Sequence, residues 1–226
     1  MTSDDSLFDR VASEMAAHLG GDASGHDLHH AWRVNRVGTR IAEAEGADPR
    51  VVGGAALVHD LHRVRGDGFT HPEETLPEIR EILADADVPP ELVDPICHCV
   101  AVHEEYSFED DPLTAETLEA EVLQDADNLD AIGAVGVARA FQFGGAHGNL
   151  LWDLDRPLPD PDDPYRKDGH DDHDGPASTY HHFHAKLLRL HENMNTETGR
   201  DIAAERHAFL EEFAERFEKE WYGGRK

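Results

Sequence analysis

Apolar positions recur at steps of three and four along nearly the whole chain, and no alternating run of useful length interrupts them. In "HDLHHAWRVNRVGTRIAEAEG" the residues His26, His30, Val34, Val37 and Ile41 form one stripe, with two histidines at its upper end. His29, Arg33, Arg36 and Arg40 mark the opposite face as solvated or salt-bridged. Further helices are predicted over 5–19, 49–62, 73–86, 90–104, 114–143, 177–194 and 197–222, punctuated by Gly20-Gly21 and Pro89-Pro90. The fold class is all-α, a helical bundle. The last helix, with Ile202, Phe209, Phe213, Phe217 and Trp221 on one side, is expected to pack and close the domain.

Two stretches depart from this regularity. In "AALVHDLHR", residues 55 to 63, His59 and Asp60 stand directly behind an apolar run. A buried polar group without a partner costs a few kcal/mol, roughly 2 to 7, and a buried charge far more, so something must meet them. Residues 153–176 are crowded with Pro, Asp and Gly, the composition of a long acidic loop or lid. His170 and His173 within it are read as part of a solvated loop rather than as ligands.

Composition narrows the partners. The 226 residues fit one domain spanning the chain, and 48 Asp plus Glu against 20 Lys plus Arg give a formal charge of −28. Nucleic acid and anionic membranes would be repelled. No lysine precedes Lys167, and an acid-rich, lysine-poor surface suits a salt-adapted, halophilic protein. The N-terminus lacks an apolar signal core and no run approaches a membrane span, so a cytoplasmic protein is expected. Cys97 and Cys99 are read as small core-filling thiols.

The candidate chemistry lies in polar groups on apolar faces. His30 heads the first stripe, His59 and Asp60 end a buried run, and Asp127 in "LEAEVLQDADNLDAIGAVG" lies in line with Leu123 and Ala131. Two imidazoles and two carboxylates would satisfy one another through a divalent cation of the Mn, Fe, Ni or Zn kind, with open positions for water and substrate.

The ordered set "HxxRV" from His30, "HD" at His59-Asp60 and "DADNLD" at Asp125 to Asp130 resembles the HD-domain superfamily of metal-dependent phosphohydrolases. The segments "LEAEVLQDADNLDAIGAVGVARAFQFGG" and "YHHFHAKLLRLHENMNTETGRDIAAERHAFLEEF" are similar to its small single-domain branch called YedJ-like, so the likeness covers most of residues 10 to 222. That resemblance implies His30, His59, Asp60 and Asp127 as metal ligands in an all-helical bundle. It also implies manganese-dependent hydrolysis of nucleoside triphosphates to monophosphate and pyrophosphate, with Mg, Fe, Ni, Co or Zn as other metals. Alarmone hydrolases of the superfamily carry Glu-Asp shortly after the HD pair, where this chain has His62 and Arg63, which argues against that activity.

Branches with two metals use two further histidines, for which His98 and His103 are available. Five apart on a helix, these cannot both face one centre unless the helix ends between them, so His103 is taken to point inward and one metal is preferred to two. His103 and Asp130 are the candidate proton acceptors, and Lys186, Arg139 and His98 the candidate substrate contacts. Arg33 is expected to buttress a carboxylate, and "FQFGGAHGNLL" to form part of a pocket rim. The expected partner is a small phosphate ester, first a nucleotide, with a homodimer allowed. Competing readings are a nucleoside monophosphatase or small phosphodiesterase and, in another class, a regulatory domain that binds metal or nucleotide without turnover.

Overall fold

The computed structural model describes residues 3–19, 25–65, 70–104, 114–160 and 178–224, with side chains from residue 6. The predicted lid over 153–176 lies outside these residues beyond position 160. Among the described residues the chain is helical, with one isolated bridge between Leu150 and Ser178. The helices are α1 (Ser3–Leu19), α2 (Leu28–Glu45), α3 (Pro49–Val58), α4 (Leu61–Arg65), α5 (Leu76–Asp85), α6 (Pro90–Ala101), α7 (Leu118–Asp130), α8 (Gly133–His147), α9 (Thr179–Ala185) and α10 (Glu197–Trp221). Short 3₁₀ turns cover Pro72–Thr75 and Leu187–Asn193.

At the centre lies α3, apolar all round and buried from Val51 to Val58, as a helix enclosed on every side must be. It packs on α1, α2, α6 and α7. Gly53 allows the close approach: a Cβ there would stand 2.5 Å from the Phe8 ring. One half of the core gathers Val11, Met15, Val34, Leu57, Leu83, Ile96 and Leu123. The other gathers Ile41, Val52, Leu129, Phe183, Leu190 and Leu210. Helices α2, α3 and α7 contribute to both halves, so they form the frame on which any site between them rests.

Helix ends follow the side chains available. Asp27 caps α2 by accepting from the His30 amide at 2.8 Å, and Gly46 ends it in the left-handed region at φ 86°. Thr117, Ser178 and Thr196 cap α7, α9 and α10.

Three predicted helices are each two. The 49–62 segment breaks at His59 and Asp60, which form the turn between α3 and α4. The 114–143 segment breaks at Ile132-Gly133, where extended Ile132 precedes Gly133 at φ 73°. The 177–194 segment breaks at Lys186, whose backbone (φ −132°, ψ −61°) leaves the helix. The expected inner face of α10 is corrected in part: Ile202 and Phe213 do pack against the core, but the buried residues are Gly199, Ala203, Leu210 and Ala214. Phe209 and Trp221 are about two-fifths exposed. Phe213 and Phe217 join Phe141, Tyr180 and Phe183 in an aromatic cluster.

The start of α10 is fixed to α7 by Asp125. Its carboxylate accepts from the Asn195 amide (2.7 Å), the Thr196 amide (2.9 Å) and the Thr196 hydroxyl (2.7 Å). Replacing it orphans buried donors, so Asp125→Ala is expected to cost roughly 2 to 3 kcal/mol. Urea unfolding would read this as a lower midpoint at unchanged slope; an unmoved midpoint would contradict it.

Candidate metal centre

Each candidate ligand is presented by a different part of the frame. His30 lies in the first turn of α2, His59 and Asp60 form the turn after α3, and Asp127 lies in the last turn of α7. His30 Nε2 stands 3.3 Å from His59 Nε2, 3.2 Å from Asp60 Oδ2 and 3.4 Å from Asp127 Oδ1. His59 Nε2 lies 3.4 Å from Asp60 Oδ2 and 3.8 Å from Asp127 Oδ1. Side chains from three sequence-distant segments thus converge.

The chemistry of this donor set fits a metal ion. His59 Nδ1 donates to the Ala56 carbonyl at 2.8 Å, and His30 Nδ1 donates to Asp130 Oδ2 at 2.7 Å. A carbonyl or an ionised carboxylate only accepts, so both protons sit on Nδ1 and both Nε2 atoms offer their lone pairs to the centre. Bonds of about 2.1 Å to one ion set its donors about 3.0 Å apart at a right angle and about 3.4 Å apart at the tetrahedral angle. Four of the five observed spacings fall between these edges, and the His59–Asp127 spacing of 3.8 Å is longer. His30, His59 and Asp60 are buried, whereas Asp127 keeps a third of its side chain accessible, so the centre is reached from the Asp127 side.

The electrostatics describe a site short of positive charge. Burial opposes the ionised carboxylates, yet the neighbouring histidines overcome it and hold Asp60 and Asp127 well below the usual range. Burial likewise opposes a charged His30, but bonds to Asp127, Asp130 and Asp60 raise its pKa well above the ordinary value. At His59 burial prevails and the pKa falls. A divalent cation would supply the charge that His30 supplies with a proton.

Asp130 takes a different part from the expected proton acceptor. Besides His30 it binds Arg33, through Nε at 2.8 Å and Nη2 at 2.9 Å, and Arg139 Nη1 at 3.0 Å. Burial would raise its pKa, but His30 and Arg33 bring it down to about 2. Both oxygens are engaged, so it orients His30. Arg33 is the carboxylate buttress the sequence suggests; Arg139, read as a substrate contact, is also held here and donates to the Gly25 carbonyl at 3.0 Å.

His103 does face inward, its ring centroid 5.1 Å from that of His59. Burial pushes its pKa down to about 4, a poor value for accepting a proton near neutrality. His98 joins none of the groups of metal-ligating side chains among the described residues. Lys186 comes close from the break after α9: burial lowers its pKa, with Asp127, Arg63 and Glu104 as the charges acting on it. The sequence places His26 on the stripe of His30 without giving it a part, and its Nδ1 lies 2.7 Å from Asp60 Oδ2. His62 and Glu104, given no part by the sequence, lie with Asp60 and His103 in one group of ligating side chains.

A cleft of about 170 Å³ opens beside the centre and shares His26 and Arg139 with it. Phe143, Leu187, Asn149, Thr179 and His182 also line it. This includes the expected rim after "FQFGG".

Residues 27–132 match the family model of the HD domain. The chain is 36% identical to the YpgQ protein of Bacillus subtilis (strain 168) over 215 residues, 94% of this chain and 92% of that one. A crystal structure of YpgQ in complex with ADP superposes with a TM-score of 0.72, covering 97% of both chains. An HD-superfamily hydrolase from Bacillus thuringiensis gives 0.70 at 29% identity, covering 97% of this chain and 99% of that one. A Lactobacillus plantarum protein gives 0.76 at 28% identity, covering 96% and 97%.

If Asp130 acts by orienting His30, Asp130→Asn should lower Mn²⁺ affinity about 10- to 100-fold in a protein that still folds. Calorimetric titration would read it; unchanged affinity would leave Asp130 only a structural anchor.

Proposed function

Because this chain belongs to the HD-domain superfamily of metal-dependent phosphohydrolases, we propose that it hydrolyses nucleoside triphosphates to monophosphate and pyrophosphate, with a divalent metal, Mn²⁺ first, held by His30, His59, Asp60 and Asp127. The observation that carries the reading is the convergence of these four donors beside a cleft large enough for part of a nucleoside. The ADP complex of YpgQ supports a nucleotide as the ligand class. When bound, the ion supplies Lewis-acid chemistry, drawing charge from the phosphoryl oxygens.

The chain's own groups do the rest. Asp130 keeps the His30 proton on Nδ1 and thereby the Nε2 lone pair on the centre. Arg33 and Arg139 keep Asp130 ionised and in place. On a protein of charge −28, a polyphosphate needs local cations. Lys186 and Arg63, beside Asp127 and Glu104, provide them. In the cleft, Phe143, about two-fifths exposed, offers a face for a base, while Asn149, Thr179 and His182 offer polar contacts to base or sugar.

The test is product identity. With Mn²⁺ at high salt, a nucleoside triphosphate should yield monophosphate and pyrophosphate in equal amounts, and Asp127→Ala should lose both bound metal and turnover. Orthophosphate from a monophosphate, in place of pyrophosphate, would overturn the substrate assignment in favour of a monophosphatase. Full activity in Asp127→Ala would overturn the site. Lys186→Met should lower kcat/KM about 10- to 100-fold, the worth of one charge-assisted contact; wild-type kinetics would remove Lys186 from the substrate site.

A further inference from the structure

Two side chains border both the centre and the cleft beside it, Arg139 and His26. Arg139 is occupied by Asp130 and by the Gly25 carbonyl. His26 has no place among the four donors, and the proposed reaction gives it no task. Its side chain is 25% exposed and forms part of the cleft wall.

The chain delivers this ring from a turn fixed on both sides. Gly25 takes φ 103°, a conformation that a side chain would strain, and its carbonyl accepts from Arg139 Nη2. Asp27 caps α2 by accepting from the His30 amide. Between them, His26 places its Nδ1 2.7 Å from Asp60 Oδ2. An ionised carboxylate only accepts, so Nδ1 carries the proton and donates. The same oxygen of Asp60 lies 3.2 Å from His30 Nε2 and 3.4 Å from His59 Nε2, so this bond holds Asp60 at the donor set. One nitrogen of His26 lies within 4.8 Å of a donor atom of His30 and of Asp60, which makes a third imidazole ligand the alternative part. The proton on Nδ1 speaks against it, because a protonated nitrogen has no lone pair to give.

In the proposed reaction the phosphates lie at the centre and the nucleoside in the cleft. The sugar must then pass between them, beside the ring that both spaces share. We propose that His26 is a substrate-positioning residue for that sugar. Its Nδ1 ties the ring to Asp60, and the rest of the ring walls the cleft, so the sugar is held at a fixed distance from the reacting phosphates. The inference rests on the reading of this chain as a metal-dependent hydrolase of nucleoside triphosphates.

The test compares the full chain with His26→Asn and His26→Ala, each checked for a wild-type circular dichroism spectrum. Asparagine keeps an N–H where Nδ1 stands but has no ring to meet the sugar. With Mn²⁺ and ATP, His26→Asn should raise KM about 10-fold at nearly unchanged kcat, the worth of one contact. Inorganic tripolyphosphate, which has no nucleoside, should inhibit the wild type and His26→Asn with the same Ki. The Co²⁺ absorption spectrum and the calorimetric Mn²⁺ affinity of His26→Asn should match the wild type, whereas His26→Ala, which also loses the bond to Asp60, should bind Mn²⁺ about 10-fold more weakly. A wild-type KM in His26→Asn would overturn the proposal and leave the metal-dependent hydrolase standing. An equal loss of tripolyphosphate binding would move His26 to the phosphates, and altered Co²⁺ bands would make it a ligand; either result refutes the assignment. A wild-type chain inert toward ATP would overturn both this inference and the reading on which it rests.

Discussion

Electron-rich atoms do not gather in a protein interior without positive charge among them. Two imidazole lone pairs stand 3.3 Å apart, each within 3.8 Å of two carboxylates, in a largely buried volume. Much of the architecture can be understood from that requirement. Helix α2 brings His30, the end of α3 brings His59 and Asp60, and α7 brings Asp127, and these same three helices carry both halves of the core. The rigidity of a packed interior is what holds donors at coordination spacing.

Around the centre lies a shell of orienting contacts. Asp130 fixes the His30 ring and is itself held by Arg33 and Arg139, and backbone carbonyls fix His59, His62 and His103. The segment "DADNLD" thus divides three aspartates by face of one helix. Asp125 anchors α10, Asp127 faces the centre, and Asp130 aligns a ligand. Positive charge is placed the same way: on a chain of charge −28, Arg33, Arg63, Arg139 and Lys186 stand close to the centre.

The periodicity of the sequence reveals the helices and, through polar residues on apolar stripes, His30 and Asp127; the apolar run before His59-Asp60 reveals that pair. Tertiary features are less visible. The turn at His59-Asp60 has no glycine or proline to announce it, and the break at Lys186 lies in a sequence that looks helical throughout. Gly133 is the break that turn chemistry could have indicated. Phe209 shows the opposite error, placed on the packing side with Ile202 and Phe213, whereas the buried positions of α10 are Gly199, Ala203, Leu210 and Ala214. His62 and Glu104 meet Asp60 and His103 only because folding brings them there.

The most direct test of the metal centre is an anomalous difference map at the manganese edge from a crystal grown with Mn²⁺. A peak within bonding distance of His30 Nε2, His59 Nε2, Asp60 and Asp127 is the predicted result. Those four groups in their present positions with no peak between them would contradict it.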